Sequence, residues 1–213
     1  MNLNRLKQME DGFLSRYPDG FNHPEMVAIG KKHKMNKMVE FSQEAFQKKY
    51  FEQPHVVIEN LVKVISRSSM VSMFEKPKFK SFVSTLSVLE TELLVEGLRE
   101  RLHGDEQQGF EIMLDVMKTG KLAKWSLISI CPAYFQPRSE VYVKPTTAKG
   151  IIRELQLDEL TYKPMPDWSF YLRFRQLINK MKKEVDPTLS PSNAAFTGFL
   201  MMVVYPEVCN LFL

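Results

Sequence analysis

Four histidines, two cysteines and a scatter of carboxylates are the side chains through which this chain could do chemistry. The histidines are His23, His33, His55 and His103, and no two stand at i+3 or i+4. That excludes the paired-histidine helix of a zinc hydrolase. His103-Gly104-Asp105-Glu106 places three possible ligands within four residues, but a turn between two helices accounts for it more simply. Cys131 and Cys209 lie among apolar neighbours and match no CxxC spacing, so each reads as a buried free thiol. Cys131 precedes Pro132 in an apolar run, a poor place for an activated thiolate. No GxSxG elbow occurs. Asp115 to Lys118 and Glu140 to Lys144 hold the ingredients of a nuclease site without its spacing. The expectation is no catalytic residue, no metal and no cofactor. An enzyme assembled from distant residues is the third of three readings.

Lys144-Pro145-Thr146-Thr147-Ala148-Lys149-Gly150 resembles a phosphate loop only in residue types. A phosphate loop needs its glycines before the lysine, so that backbone N–H groups can curl round the anion. Here the lysine leads and proline follows. A strand end running into a capped helix is the plain interpretation. The functional one is an anion held at the helix N-terminus by Lys144 and Lys149.

Charge is more informative than motif. The chain has 213 residues, a net charge of +4 and a pI near 8.9. From Ser87 to Asp115 eight acids face two bases; from Lys144 to Lys183 nine bases face four acids. Lys31, Lys32, Lys34 and Lys37 form a third patch without any acid. Arg173, Lys180 and Lys183 stand at i, i+7 and i+10, on one side of a helix and away from its aromatic stripe. Basic faces of this kind could neutralise phosphates of a nucleic acid or meet another anionic partner. They could also be solvated, or paired with the acidic 87–115 region inside the fold or across a dimer.

Those residues must be carried by helices. Apolar positions recur at three- and four-residue steps over 3–16, 35–50, 54–65, 76–86, 106–117 and 168–183. The clearest helix spans 86–102, with Leu86, Leu89, Leu93 and Gly97 on one stripe and Leu94, Leu98 and Leu102 beside it. Tyr17-Pro18-Asp19-Gly20 reads as a turn, and Asp105, Asp167 and the Ser190–Asn193 stretch offer N-caps. A last helix carries Phe196, Phe199, Leu200 and Val203. Its apolar run, Ala194 to Val204, falls short of the roughly 20 residues a membrane span needs. Residues 123–143 fit either helix or strand. Val141-Tyr142-Val143 and Leu160-Thr161-Tyr162 are β-rich and flank a short helix. The fold class expected is mainly α, one multi-helix domain over 1–213 with a small β element of two short strands near residues 140–163. A subdivision at 132–139 would separate a helical part, 1–131, from a smaller α+β tail, 140–213.

The run Gly104-Asp105-Glu106, Leu122-Ala123-Lys124-Trp125 and Val143-Lys144-Pro145-Thr146-Thr147 resembles segments of uncharacterised bacterial proteins over less than a third of the chain. The resemblance implies a bacterial source and carries no activity, cofactor or site residue. The N-terminus lacks the apolar core of a signal peptide, which with the cysteine usage points to the cytoplasm. The first expectation is therefore a non-catalytic interaction or regulatory module that self-associates. The second is a nucleic-acid-binding protein using the faces at 31–37 and 173–183.

Overall fold

Polar side chains at the predicted starts set the helices. In the computed structural model, which describes residues 1–206, Asn2 Oδ1 accepts from the Arg5 amide at 2.9 Å and opens α1, Leu3–Arg16. Pro24 opens α2, Pro24–Lys32, and α3 follows at Met35–Ala45 after a two-residue turn. Pro54 opens α4, Pro54–Arg67, which is followed by α5, Glu75–Thr85. Ser87 and Glu90 close a reciprocal capping box at the head of α6, Val88–His103. Asp105 caps α7, Glu106–Thr119, and α8 is Trp125–Phe135. Then come α9, Pro145–Glu154; α10, Trp168–Met181, capped by Asp167; and α11, Asn193–Val204, capped by Ser192.

The open stretch 123–143 begins with α8, and ten of its eleven residues are buried. A helix covered on every side carries no amphipathic signal, which is why periodicity left helix and strand undecided. Around α8 pack α3, α4, α6 and α7. A second group, α1, α9 and α10, packs on α11. Helix α10 also packs on α7 and so joins the two groups.

The β element expected near 140–163 is not found: among the described residues there is no strand. Val141-Tyr142-Val143 is extended and buried, but side chains satisfy it in place of a neighbouring strand. Ser129 Oγ accepts from the Val143 amide at 3.0 Å, and the Tyr171 hydroxyl donates to the Val141 carbonyl at 3.2 Å. Leu160-Thr161-Tyr162 follows a turn, and the Tyr162 ring packs edge-on to Phe170. Branched and aromatic residues serve burial here, not strand pairing. The segment 136–140 is tied to later helices: Asn179 donates to the Ser139 carbonyl at 2.8 Å, and the Asn193 amide to the Pro137 carbonyl at 2.7 Å.

Helix α6 is turned relative to the expectation. Its buried side is Leu94, Val95, Gly97, Leu98, Arg101 and Leu102. Leu89 and Leu93 point outward, 65% and 40% exposed, beside Val88 at 77%. Two leucine rows compete on this helix, and glycines decide between them. A Cβ on Gly109 of α7 would stand 2.1 Å from the Arg101 backbone nitrogen and 2.5 Å from the Gly97 carbonyl oxygen. The backbones of α6 and α7 therefore touch at Gly97 and Gly109, and that contact fixes which side of α6 faces inward.

This contact separates two glycines of equal helical cost. Gly12 lies exposed in α1 with nothing near the position of an added Cβ. Gly12→Ala is expected to raise stability by about 0.5–1 kcal/mol through helix propensity. Gly109→Ala must push α7 off α6 and is expected to lower stability by about 2–4 kcal/mol. Urea unfolding of the two variants checks both signs.

Candidate functional site

The densest polar chemistry lies where α6, α7, α10 and the 140–141 segment meet. Glu140 is 2% exposed, and its carboxylate accepts from both Arg101 and Arg175. The Tyr171 hydroxyl donates to the same carboxylate at 2.6 Å. Arg175 also donates to Glu106 at 2.7 Å, and the Glu106 carboxylate lies 3.9 Å from Arg101. Two cations thus meet two anions, so the buried charges balance.

Aromatic rings line this cluster. The Arg101 guanidinium lies 5.0 Å from the Tyr171 ring centre and 5.4 Å from that of Trp168. Arg175 lies 5.6 Å from Trp168. Phe110 packs against Trp125, Trp168 and Tyr171, continuing the cluster into the core. Arg101 Nε is buried without a hydrogen-bond partner. The ring faces offset part of that cost through cation–π attraction.

Protonation follows the geometry. Burial opposes the charge on Arg101, but Tyr171, Glu140 and Glu106 outweigh it and hold its pKa above an ordinary arginine's. Burial pushes the Tyr171 hydroxyl up, with Arg101 opposing and Glu140 adding. Burial likewise pushes the Cys131 thiol up, so this cysteine is a poor nucleophile, as its apolar run suggests. Cys209 lies outside the described residues. Every charged group of the cluster is answered by another protein group. The arrangement is suited to holding helices together.

The residues singled out for anion contact fall in separate places. Lys31 and Lys32 end α2, Lys34 sits in the turn with a left-handed φ of 53°, and Lys37 lies in the first turn of α3. All four are exposed. Helix α3 packs on α4 and α8, whereas α10 packs on α7 and α11. Arg173, Lys180 and Lys183 are exposed on or just after α10, and Arg173 reaches the Glu159 carbonyl at 3.4 Å. Lys144 is half-buried at the head of α9, and Lys149 lies over the Tyr162 ring at 5.0 Å.

Sequence reasoning missed the central cluster. It counted Arg175 among the bases of 144–183 and Glu106 among the acids of 87–115, and the fold pairs these two with each other. Arg101 offered a signal: it sits between Leu98 and Leu102 on a helix side that is otherwise apolar. His103 takes a structural place, its Nε2 2.8 Å from the Phe46 carbonyl between the Phe51 and Phe135 rings. Among the described residues no group of three or more His, Cys, Asp or Glu could hold a metal ion, and no helix is long and apolar enough to cross a membrane. The surface carries an open depression of about 460 Å³ with Lys78, Ser81, Thr85 and Lys121 on its rim. No protein-family model matches the chain, and neither a curated protein nor a solved structure matches it.

Removing one member of a buried ion cluster leaves its partners charged and unanswered. Glu140→Ala would leave Arg101 and Arg175 repelling each other across the gap. It is expected to cost about 3–5 kcal/mol, read as a lower urea midpoint, whereas Glu92→Ala on the exposed side of α6 should move it by less than about 0.5 kcal/mol. Equal effects from the two substitutions would deny the cluster its structural role.

Proposed function

We propose that this chain is a non-catalytic interaction module that assembles with a second copy of itself. The observation that carries the reading is the outer side of α6. Val88, Leu89 and Leu93 lie exposed on a rigid, doubly capped helix whose opposite side is fully packed. Single exposed leucines are ordinary; three neighbouring ones on a helix end mark an interaction surface. Sedimentation velocity at tens of micromolar should find a dimer. Leu89→Asp places an acid in the first turn of α6, where the helix dipole favours it, and is expected to give a folded monomer. A wild-type chain that sediments as a monomer at that concentration refutes the reading.

A second reading, nucleic-acid binding, is favoured by one specific observation. Lys31, Lys32, Lys34 and Lys37 stand exposed on either side of and within the short turn joining α2 to α3, with no acid in the first turn of α3. Four phosphate contacts would give log K a slope of about −3.6 against log salt on duplex DNA, and each Lys→Ala change should reduce it by about 0.9. Absence of binding in low salt, or a slope indifferent to these substitutions, sinks this reading.

A further inference from the structure

We propose that the open depression between α5 and the turn joining α7 to α8 binds the phosphate group of a small phosphate monoester, held by Lys78, Lys121 and Ser81. This site stands apart from self-association, which involves the outer side of α6, and does not depend on it.

The depression is built from two segments. Lys78, Ser81 and Thr85 follow at i, i+3 and i+7 and so share one side of α5. Gly120 and Lys121 form the other wall, and the buried Phe82 and Leu122 supply apolar surface. A volume of about 460 Å³ suits a small organic ligand. A Cβ on Gly120 would stand 2.3 Å from the Phe82 ring, so the two walls meet closely there and the position keeps glycine.

Charge points to an anion. Residues 76–85 and 116–125 hold Lys76, Lys78, Lys80, Lys118, Lys121 and Lys124, and no acid. The carboxylates just outside these stretches are engaged: Glu75 accepts from Ser126 at 2.7 Å, and Asp115 pairs with Lys118 at 2.8 Å. Among the described residues neither the Lys78 nor the Lys121 ammonium has an ion-pair partner, and the Ser81 hydroxyl makes no hydrogen bond. The Thr85 hydroxyl, by contrast, donates to the Phe82 carbonyl at 2.8 Å. Two unanswered ammonium groups and a hydroxyl donor match a doubly charged anion rich in acceptor oxygens. A phosphate monoester is such an anion.

Helix ends offer a different use for lysine, because the carbonyls of a C-terminus favour cations. Here those carbonyls have nearer donors. Ser84 Oγ donates to the Ser81 carbonyl at 2.7 Å, Thr119 Oγ1 to the Val116 carbonyl at 2.9 Å, and the Leu122 amide to the Met117 carbonyl at 2.9 Å. Lys121 also holds a left-handed φ of 57°, a conformation that favours glycine. A lysine kept in that conformation on the wall of a depression points to a use for its charge.

Titration of the isotope-labelled full chain with AMP, followed through amide chemical shifts, tests the site. Amides over 78–85 and 118–124 should shift with AMP and stay in place with adenosine, which lacks the phosphate. Lys78→Gln and Lys121→Gly should each weaken AMP binding about fivefold, and the two together about 25-fold. Lys31→Gln, on the turn between α2 and α3, should leave it unchanged. Lys121→Gly should melt no lower than the wild type, because glycine accepts the left-handed backbone, so its lost binding is not lost fold. Absence of shifts at about 5 mM AMP, shifts that survive both substitutions, or equal shifts with adenosine overturn the proposal. Tighter binding of oligothymidylate without a terminal phosphate at the same amides also overturns it and assigns the depression to a nucleic-acid strand.

Discussion

One buried carboxylate holds the helices of this protein in register. Glu140 is nearly sealed from water and takes donors from three directions: Arg101 on α6, Arg175 on α10 and the Tyr171 hydroxyl one turn earlier on α10. Taking a charge out of water is so unfavourable that such a group is tolerated only with its partners in place. The constraint therefore runs outward from Glu140. Helix α10 must present Tyr171 and Arg175 on one side, four residues apart. Helix α6 must turn Arg101 inward among leucines. The chain after α8 must come back as an extended segment to deliver the carboxylate. Apolar contact alone could slide by a turn, whereas a carboxylate shared by two guanidinium groups and a hydroxyl admits little slippage.

The glycine contact of α6 with α7 serves the same end by a different force. Because Gly97 and Gly109 bring the two backbones together, Arg101 lies against the chain at Gly109 and its side chain reaches Glu140 and the edge of Glu106. A wider interhelical gap would carry the guanidinium away from its partners. Close packing and charge pairing are therefore coupled here. The aromatic wall of Phe110, Trp168 and Tyr171 excludes water from the same region and strengthens the pairing.

Much of the helical framework was legible in the residues, because caps and periodicity are local. Asn2, Asp105, Asp167 and the serines at 87 and 192 act within three residues of their own position. What escaped was non-local. Whether Val141 to Val143 pairs with a strand or with side chains depends on Ser129 and Tyr171, which the pattern of three β-formers cannot reveal. Which leucine row of α6 is buried depends on a glycine in the next helix. Pairing of the basic 144–183 region with the acidic 87–115 region inside the fold was one arrangement the charges allowed, but that Arg175 would find Glu106, 69 residues away, is beyond any local rule. The lysines at 31, 32, 34 and 37 all stand exposed around the turn between α2 and α3.

The same reasoning isolates what the fold does not need. Leu94, Leu98 and Leu102 with the Gly97 contact already dock α6, and the Ser87–Glu90 box already secures its start. Polar residues at 88, 89 and 93 would serve the monomer as well, and β-branched Val88 is a mediocre helix former. Three apolar side chains in water at the head of such a helix gain nothing from folding.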